Sequence, residues 1–214
     1  MTEPSVIVYA IDDDAAVLTG IGRLLRSAGY EAQVFASAEA FFEKVDHEAT
    51  GCLILDLALP GFDGMQVQQR LVETDSVLPI IFLTGRGDIP TSVRAMKNGA
   101  ADFCTKPIDD FDLLAAVDQA IQRCELAQRA RRERTGIAGR LSTLTARERQ
   151  VLEHLLSGQR NKQIAAALGT VEKTIKVHRA RNMQKMQARS LATLIRQAEH
   201  AGIPRKPIGT EPAG

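Results

Sequence analysis

Over the first 124 residues, short apolar runs alternate with longer segments of mixed polarity. The short runs are rich in β-branched residues, which favours strands, whereas the longer segments repeat their apolar residues at helical spacing. We predict strands at 6–11, 31–36, 51–56, 79–84 and 101–105, and helices at 15–28, 38–47, 64–74, 90–98 and from 109 onward. Such alternation is typical of the α/β class, here a doubly wound five-stranded parallel sheet. The third and fourth strands are apolar without alternation and should be central.

The segment from 109 onward continues as one long helical pattern. Apolar residues recur at helical spacing from Phe111 to Cys124, after which the apolar face thins and arginines accumulate. With no clear stop before Gly136, we predict that 125–140 comprise a helical extension and the flexible linker into which it leads, around 136–139. A charged helix that is merely solvated explains the arginine-rich stretch equally well.

From Thr145 the pattern becomes entirely helical, with short connections. Thr145 and Glu148 have the spacing of a capping box, and Asn161 and Ser190 are predicted N-caps. An all-α domain of four helices is therefore expected. The predicted helices are 146–157, 162–168, 172–186 and 191–201.

The composition is that of an ordinary globular chain, since 44% of the 214 residues are hydrophobic and 25% are charged. This length suits two modest domains. The formal net charge of +1 conceals a strong asymmetry: 1–124 hold 19 acidic and 9 basic residues (−10), and 125–214 hold 7 and 18 (+11). The acidic part favours a cation and the basic part favours a phosphate backbone. The predicted division is an α/β domain at 1–124, a helical connection at 125–140, a four-helix domain at 141–203 and a disordered tail at 204–214.

The three cysteines lack the paired spacing of disulfides or zinc sites. No apolar run approaches the roughly 18 residues that a membrane span needs. We therefore expect reduced thiols, no signal peptide, no membrane partner and a cytoplasmic location.

Polar side chains follow the predicted strands at their carboxyl ends. Asp12 and Asp13 follow the first strand, Asp56 ends the third, Thr84 ends the fourth and Lys106 follows the fifth. Because these strand ends converge on one crevice in a doubly wound sheet, we expect the side chains to form one site. Clustered carboxylates repel each other unless a cation is present, and oxygen ligands favour Mg²⁺. A carboxylate can also attack phosphorus, so the site is predicted to accept a phosphoryl group.

The second and third C-terminal helices are joined by a short turn at Gly169-Thr170, the arrangement of a helix-turn-helix, whose second helix enters the DNA major groove. At about 100° per residue, one side of that helix faces inward. The inward residues are Ile175, His178, Asn182 and Met186. The predicted DNA contacts are Lys162, Lys173, Thr174, Lys176, Val177, His178, Arg181 and Gln184. An amphipathic helix with a solvated basic face is the alternative.

Residues 5–124 resemble the receiver domain of two-component response regulators, through the segments AIDDD, LILDLALPG, IFLTG and CTKP. The resemblance implies a flavodoxin-like fold, bound Mg²⁺ and a sensor histidine kinase as phosphoryl donor. It makes Asp56 the phosphoacceptor, and Thr84 and Lys106 the residues that bind the phosphoryl group and switch, with a cis peptide after Lys106. Phe103 takes the place of the switch aromatic, without the hydroxyl of a tyrosine. The implied metal ligands are Asp12, Asp13, Asp56 and the backbone carbonyl of Ala58.

Residues 141–201 resemble the LuxR-type helix-turn-helix of NarL/FixJ response regulators, through LTARERQVL, GQRNKQIAAALG and KTIKVHRARNMQKM. With the receiver, the match spans nearly the entire chain and implies a transcription regulator controlled by phosphorylation. The implied partners are near-palindromic double-stranded DNA and a second copy of the chain after phosphorylation, with RNA polymerase as a further candidate. Leu191, Leu194 and Ile195 are candidates for a pairing surface, and packing within the monomer explains them equally well.

Two residues depart from the LuxR-type pattern. Val171 replaces the usual helix-starting residue, which leaves Thr170 as the candidate cap. Asn182 lies on the inner face where the family carries an aliphatic residue, and unless it is hydrogen-bonded its burial costs about 1 to 3 kcal/mol.

Two other functions remain open from the sequence. A magnesium-dependent phosphohydrolase, similar to the haloacid dehalogenase family, needs a second Asp two residues after the nucleophile, and this chain has Ala58 there. A scaffold whose receiver takes no phosphate is disfavoured because the acceptor, the acidic pair and the lysine are all present. We therefore predict a regulator and not an enzyme.

Overall fold

The computed structural model describes residues 6–46, 48–85 and 89–203. It forms an α/β unit and a helical unit, divided between Arg129 and Ala130, within the predicted connecting segment. The elements of the first unit are β1 (Val6–Ile11), α1 (Ala15–Ser27), β2 (Glu31–Phe35), α2 (Ala38–Phe42), β3 (Thr50–Asp56), α3 (Gly64–Glu73), β4 (Ile80–Thr84), α4 (Ile89–Lys97), β5 (Asp102–Thr105) and the start of α5 (Asp110–Ser142).

The five strands form one sheet in the order β2-β1-β3-β4-β5, and every neighbouring pair is parallel. β3 and β4 are buried along their whole length. Successive residues of β3 enter opposite apolar clusters, since Leu53 and Leu55 lie in one, and Cys52 and Ile54 in the other. This confirms the predicted doubly wound five-stranded parallel sheet, with strand bounds that agree to within one residue.

The second helix is shorter than predicted, because α2 ends at Phe42 and not at 47. Phe41 is fully buried, and its carbonyl accepts hydrogen bonds from the N–H groups of both Lys44 and Val45, at 3.0 and 2.8 Å. The Asp46 N–H then donates to the hydroxyl of Tyr9 in β1 at 3.4 Å. The chain is thus held toward the sheet before another helical turn can form. His47 lies outside the described residues.

The predicted flexible linker at 136–139 is wrong, because α5 is helical without a break to Ser142. Ile137 and Leu141, four residues apart on one helix face, are 1% and 5% exposed and belong to the core of the second unit. Their burial stabilises the helix beyond the cost of its two glycines, about 1 kcal/mol each. Because the apolar pattern is interrupted in this part of the sequence, it did not predict this short buried face of α5.

The second unit contains the end of α5 and four further helices: α6 (Ala146–Leu156), α7 (Asn161–Ala167), α8 (Glu172–Lys185) and α9 (Leu191–His200). The predicted capping box of Thr145 and Glu148 and the predicted cap Ser190 are confirmed. Asn161 is not an N-cap. It is the first residue of α7, and its side chain accepts a hydrogen bond from Arg179.

Leu194 is fully buried in the core of the second unit, so packing within the monomer accounts for it, whereas Leu191 is 37% exposed.

The predicted disordered tail at 204–214 lies outside the described residues. Among the residues that the structure describes, no helix has both the length and the apolar character needed to cross a membrane.

Alanine substitutions at two glycines compare a tightly packed position in the sheet with an unpacked position on a helix. A methyl group at Gly51 in β3 would lie 1.7 Å from the Ile7 carbonyl oxygen in β1, so Gly51→Ala should destabilise the fold by about 3 kcal/mol or more. At Gly20 in α1 a methyl group meets no described atom within 4 Å, so Gly20→Ala should stabilise it by about 0.5 to 1 kcal/mol. Urea unfolding of both variants measures the difference, and similar stabilities would contradict the packing described.

Candidate functional site

Three carboxylates gather at the carboxyl ends of β1 and β3. Asp12 and Asp13 follow β1 and Asp56 ends β3, and one oxygen of each lies within 4.8 Å of the others. Asp12 and Asp56 are buried, at 2% and 6% exposure, whereas Asp13 is exposed. The parallel pairing of β1 with β3 brings these predicted site residues side by side.

The ammonium group of Lys106 lies between two of these carboxylates. Its Nζ is 2.6 Å from Asp12 Oδ2 and 2.8 Å from Asp56 Oδ2. The backbone N–H of Lys106 donates to the Thr84 carbonyl at 2.7 Å, and the Lys106–Pro107 peptide is cis. Burial disfavours the charged ammonium, but the hydrogen bonds to Asp12 and Asp56 outweigh it and raise the pKa of Lys106 above its ordinary value. Lys106 is therefore charged and neutralises part of the cluster.

The backbone that follows β3 is held close to Asp56. The Ala58 N–H donates to Asp56 Oδ1 at 3.1 Å, and the Gly64 N–H donates to the Leu57 carbonyl at 3.1 Å. A Cβ atom at Gly64 would lie 2.7 Å from the Asp56 carbonyl oxygen, so the close approach of α3 requires glycine. Ala58, expected to offer its carbonyl to a metal, is exposed in this loop.

The other predicted residues of this site lie on β4 and β5. Thr84 ends β4 and is 2% exposed. Phe103 in β5 is half-buried, with its ring centre 6.3 Å from that of Phe82. The neighbouring Asp14 has a different role, because its Oδ1 accepts hydrogen bonds from two backbone N–H groups of the first turn and caps α1.

An apolar groove beside Lys106 was missed by the sequence reasoning. It is a cavity of about 840 Å³ between α1 and the segment that joins β5 to α5. Its apolar lining includes Val17, Ile21, Leu24, Pro107, Ile108 and Leu113. No local sequence signal could have found it, because it arises from the spacing between two elements that lie far apart in the chain.

Helix α8, the second helix of the predicted helix-turn-helix, has an exposed side and a buried side. The exposed predicted DNA contacts are Lys162 on α7 and Lys173, Lys176, Val177, Arg181 and Gln184 on α8. Thr174 and His178 are half-buried, whereas Ile175, Asn182 and Met186 are buried. The basic side chains therefore lie mainly on the side that is free of core contacts.

Asn182 fixes the buried side of α8 to α6. It is fully buried, and its Nδ2 donates to the Glu148 carbonyl at 3.0 Å, while its Oδ1 has no partner among the described atoms. The hydrogen bond offsets part of the expected cost of about 1 to 3 kcal/mol, and the unpaired oxygen retains the rest. Val171, and not Thr170, occupies the N-cap position of α8, where a valine side chain accepts no hydrogen bond.

An ion pair between a buried carboxylate and a half-buried ammonium, also missed from the sequence, joins the start of α6 to the end of α8. Glu148 Oε2 lies 2.7 Å from Lys185 Nζ, and the Glu148 side chain is 3% exposed. Nζ also donates to the Thr143 carbonyl at 2.9 Å, and Oε2 accepts from the Thr145 N–H at 2.8 Å. Lys185, assisted by Thr145, lowers the pKa of Glu148 to about 2. The capping-box motif predicted the contact with Thr145 but carried no signal for Lys185.

Two family models match the chain. The response regulator receiver domain matches residues 8–118, and the luxR family of bacterial regulatory proteins matches residues 142–198. Among curated proteins, nodulation protein W of Bradyrhizobium diazoefficiens is 43% identical over 197 residues, which cover 92% of this chain and 87% of that protein. Transcriptional regulatory protein FixJ of the same organism is 42% identical over 196 residues, which cover 92% and 96%.

Two solved structures match this chain over most of its length. The response regulator StyR is 43% identical with a TM-score of 0.82, over 91% of this chain and 98% of that chain. Full-length FixJ from B. japonicum is 40% identical with a TM-score of 0.56, over 94% and 100%. The fold and the acidic site thus define a receiver, and the helical unit is a LuxR-type DNA-binding domain. The chain belongs to the two-component response regulators of the NarL/FixJ type.

Glu148→Gln tests the buried ion pair, since glutamine keeps the capping box but removes the charge that faces Lys185. The pKa of Glu148 falls from an ordinary 4.5 to about 2 on folding. The pair therefore stabilises the fold fully above about pH 4.5, and this stabilisation is lost as the pH falls toward 2. We expect a loss of about 1 to 3 kcal/mol at pH 7 that shrinks over this interval, measured by urea unfolding.

Glu172→Gln is the matched control for Glu148→Gln. Glu172 forms an exposed pair with Lys176 at 3.9 Å, with 49% of its side chain exposed. Such a pair contributes little, about 0.5 kcal/mol or less. Equal losses and equal pH profiles for the two variants would contradict the special role of Glu148.

Proposed function

We propose that Asp56 accepts a phosphoryl group from a sensor histidine kinase, and that this modification controls dimerisation and sequence-specific DNA binding in the regulation of transcription. The observation that carries the proposal is Lys106, whose Nζ lies 2.6 and 2.8 Å from the buried carboxylates of Asp12 and Asp56. With Asp13 in the same cluster, the crevice holds an acceptor, an acidic pair and a cation together.

Charge and donor chemistry favour Mg²⁺ as the cofactor. Asp12, Asp13 and Asp56 carry a formal charge of −3, which Lys106 reduces to −2. A divalent cation would neutralise the remainder, and carboxylate oxygens are the ligands that Mg²⁺ prefers. The three carboxylates and the carbonyl of Ala58 would hold it. When bound, Mg²⁺ would neutralise charge on the phosphoryl oxygens during transfer.

We assign Asp56 the role of nucleophile. A carboxylate oxygen attacks the phosphorus of a phosphohistidine whose other ring nitrogen is protonated. The new O–P bond forms as the P–N bond breaks, and the histidine nitrogen takes the electron pair, which leaves a neutral imidazole. Lys106 Nζ and the Thr84 hydroxyl supply donors to the phosphoryl oxygens. The buried position of Asp56 supports this role, because donors act more strongly where water is excluded.

The proposed switch is a change of contacts around the phosphoryl group. Phosphorylation turns the −1 carboxylate of Asp56 into an acyl phosphate of about −2, whose oxygens compete with Asp12 for Lys106 and draw Thr84 inward. The hydrogen bond from the Lys106 N–H to the Thr84 carbonyl supports their joint movement. Phe103, half-buried in β5 beside Phe82, then turns inward and alters the surface of α4, β5 and α5. A coupling of about 1 to 3 kcal/mol is typical of such transitions.

The apolar groove beside Lys106 supports a protein as the phosphoryl donor. Val17, Leu24 and Ile108 line it and offer contact area next to Lys106, whose Nζ contacts the acceptor carboxylate. An amphipathic helix of the kinase would bury its apolar side there and present its histidine to Asp56.

On the DNA-binding unit, we propose that α8 enters the major groove. The exposed side chains of α8 are mainly polar or charged, so they are unsuited to packing in a protein core, and their positive charge complements the DNA phosphates. Lys173, Lys176 and Gln184 would reach base edges or phosphates, and Val177 a thymine methyl group. Lys162, Thr174, His178 and Arg181 complete the proposed contact set. The proposed target is near-palindromic DNA, bound by a homodimer. RNA polymerase is a further proposed partner. The protein would act in the cytoplasm, where bacterial DNA lies.

The second candidate function, a phosphohydrolase, lacks a general acid near the nucleophile. Ala58 occupies the position where that acid is required, and its backbone N–H donates to Asp56. We therefore propose that the protein is not an enzyme. Steady turnover of a small phosphoester by the purified chain would revive this alternative.

Asp56→Asn should abolish labelling by a radioactive acyl phosphate in the presence of Mg²⁺, because the amide is not a nucleophile. Labelling is followed by autoradiography, and circular dichroism checks the fold. Asp14→Asn is the matched control, since Asp14 caps α1 and asparagine is an equally good cap. It should be labelled like the wild type. Label that persists in Asp56→Asn would defeat the assignment of the acceptor.

Lys176→Ala should lower the affinity of the phosphorylated chain for selected DNA by about tenfold, because one direct contact to a base or phosphate is lost. Fluorescence anisotropy across a salt series measures the affinity. Lys44→Ala, an exposed lysine of the receiver just after α2, should leave it unchanged. If both variants bind like the wild type at every salt concentration, Lys176 makes no DNA contact.

A further inference from the structure

Arg179 on α8 makes a contact that joins the two helices of the helix-turn-helix. Its Nη1 donates to Asn161 Oδ1, in the first turn of α7, at 2.7 Å, and the contact is part-buried. Arg179 is itself half-buried, unlike its exposed neighbours Ala180 and Arg181. The side chain is thus directed toward α7, although its position in a basic helix makes it resemble a DNA contact.

Helix α7 needs such contacts because its apolar anchorage is small. Only Ile164 and Ala165 of its seven residues are buried. At the other end of α7, Arg147 Nη2 donates to the Leu168 carbonyl, just before the turn at Gly169. Guanidinium groups therefore hold both ends of the helix, and hydrogen bonds from a charged donor are stronger than neutral ones.

We infer that Arg179 is a positioning residue, which acts through Asn161 to set the angle between α7 and α8, and not a phosphate contact. The inference rests on the proposed DNA binding and deepens it. Lys162, a proposed backbone contact, follows Asn161 directly and is exposed. A shift of α7 would therefore move this contact relative to the base-reading side of α8, so that the two no longer fit one duplex together.

A double-mutant cycle with a salt series tests this inference. The probe is a duplex selected from a randomised library by the wild-type full-length chain, and anisotropy measures its affinity. The variants are Arg179→Ala, Asn161→Ala and their combination. Arg179→Lys is added because it keeps the charge but loses the planar fork. Lys162→Ala is the matched control for a phosphate contact, and urea unfolding verifies that every chain is folded under the binding conditions.

A positioning role predicts that Arg179→Ala and Asn161→Ala each lower affinity by about tenfold, and that the double variant loses no more than either single one. The dependence of affinity on salt should change alike in all three variants, because each of them displaces Lys162 in the same way, and Lys162→Ala alone should reduce the slope by about one. Arg179→Lys should lose affinity despite its charge.

The inference is overturned if Arg179→Ala reduces the salt slope by about one while Asn161→Ala binds normally, which would make Arg179 a phosphate contact. Additive losses in the double variant, or wild-type affinity of Arg179→Lys, would also overturn it. If the wild-type chain selects no duplex, the proposed DNA binding fails. If the wild-type chain selects a duplex but the variants give one of the contrary results above, the proposed function stands and only this inference fails.

Discussion

The receiver depends on one electrostatic constraint: two carboxylates buried side by side require a cation between them. Asp12 and Asp56 are almost fully buried, and Lys106 Nζ lies within 2.8 Å of an oxygen of each. An unpaired buried charge would be far more costly than the ion pair. The ends of β1, β3 and β5 must therefore stay together. Glycines at 51 and 64 serve this by allowing close backbone approach at the two ends of β3.

The helical unit is under a different constraint, since its helix α8 has little apolar surface to bury. Only Ile175 and Asn182 of α8 are buried within the helix itself, and Asn182 is polar. Polar contacts to neighbouring helices take over part of the task, through Lys185 to Glu148 and Arg179 to Asn161. Several basic residues thus act inside the unit. The excess of positive charge in the C-terminal sequence consequently overstates the charge that is available to DNA.

The sequence predicted the acidic crevice well because parallel strands impose it: once the strands were identified, their carboxyl ends had to converge. The bounds of α5 could not be obtained in the same way. Ile137 and Leu141 stand between glycines in an arginine-rich stretch, and only the packed core shows that they are buried. Asn161 was misassigned for a related reason, since its partner Arg179 lies 18 residues away. Contacts between distant residues leave no local periodicity.

Helix α5 connects the two sites by chain continuity, and each end is fixed within its own unit. It begins four residues after Lys106 and is held to the start of β3 by Gln128, which accepts from the Thr50 hydroxyl at 2.9 Å and donates to the Ala49 carbonyl at 2.8 Å. Its other end is buried through Ile137 and Leu141. A phosphoryl group can influence DNA binding only by the difference between its contacts in the two receiver states. With a coupling of about 1 to 3 kcal/mol, DNA affinity would change by about 5- to 150-fold. Regulation of this size would be graded, because the unphosphorylated chain would keep between about one fifth and one 150th of the affinity.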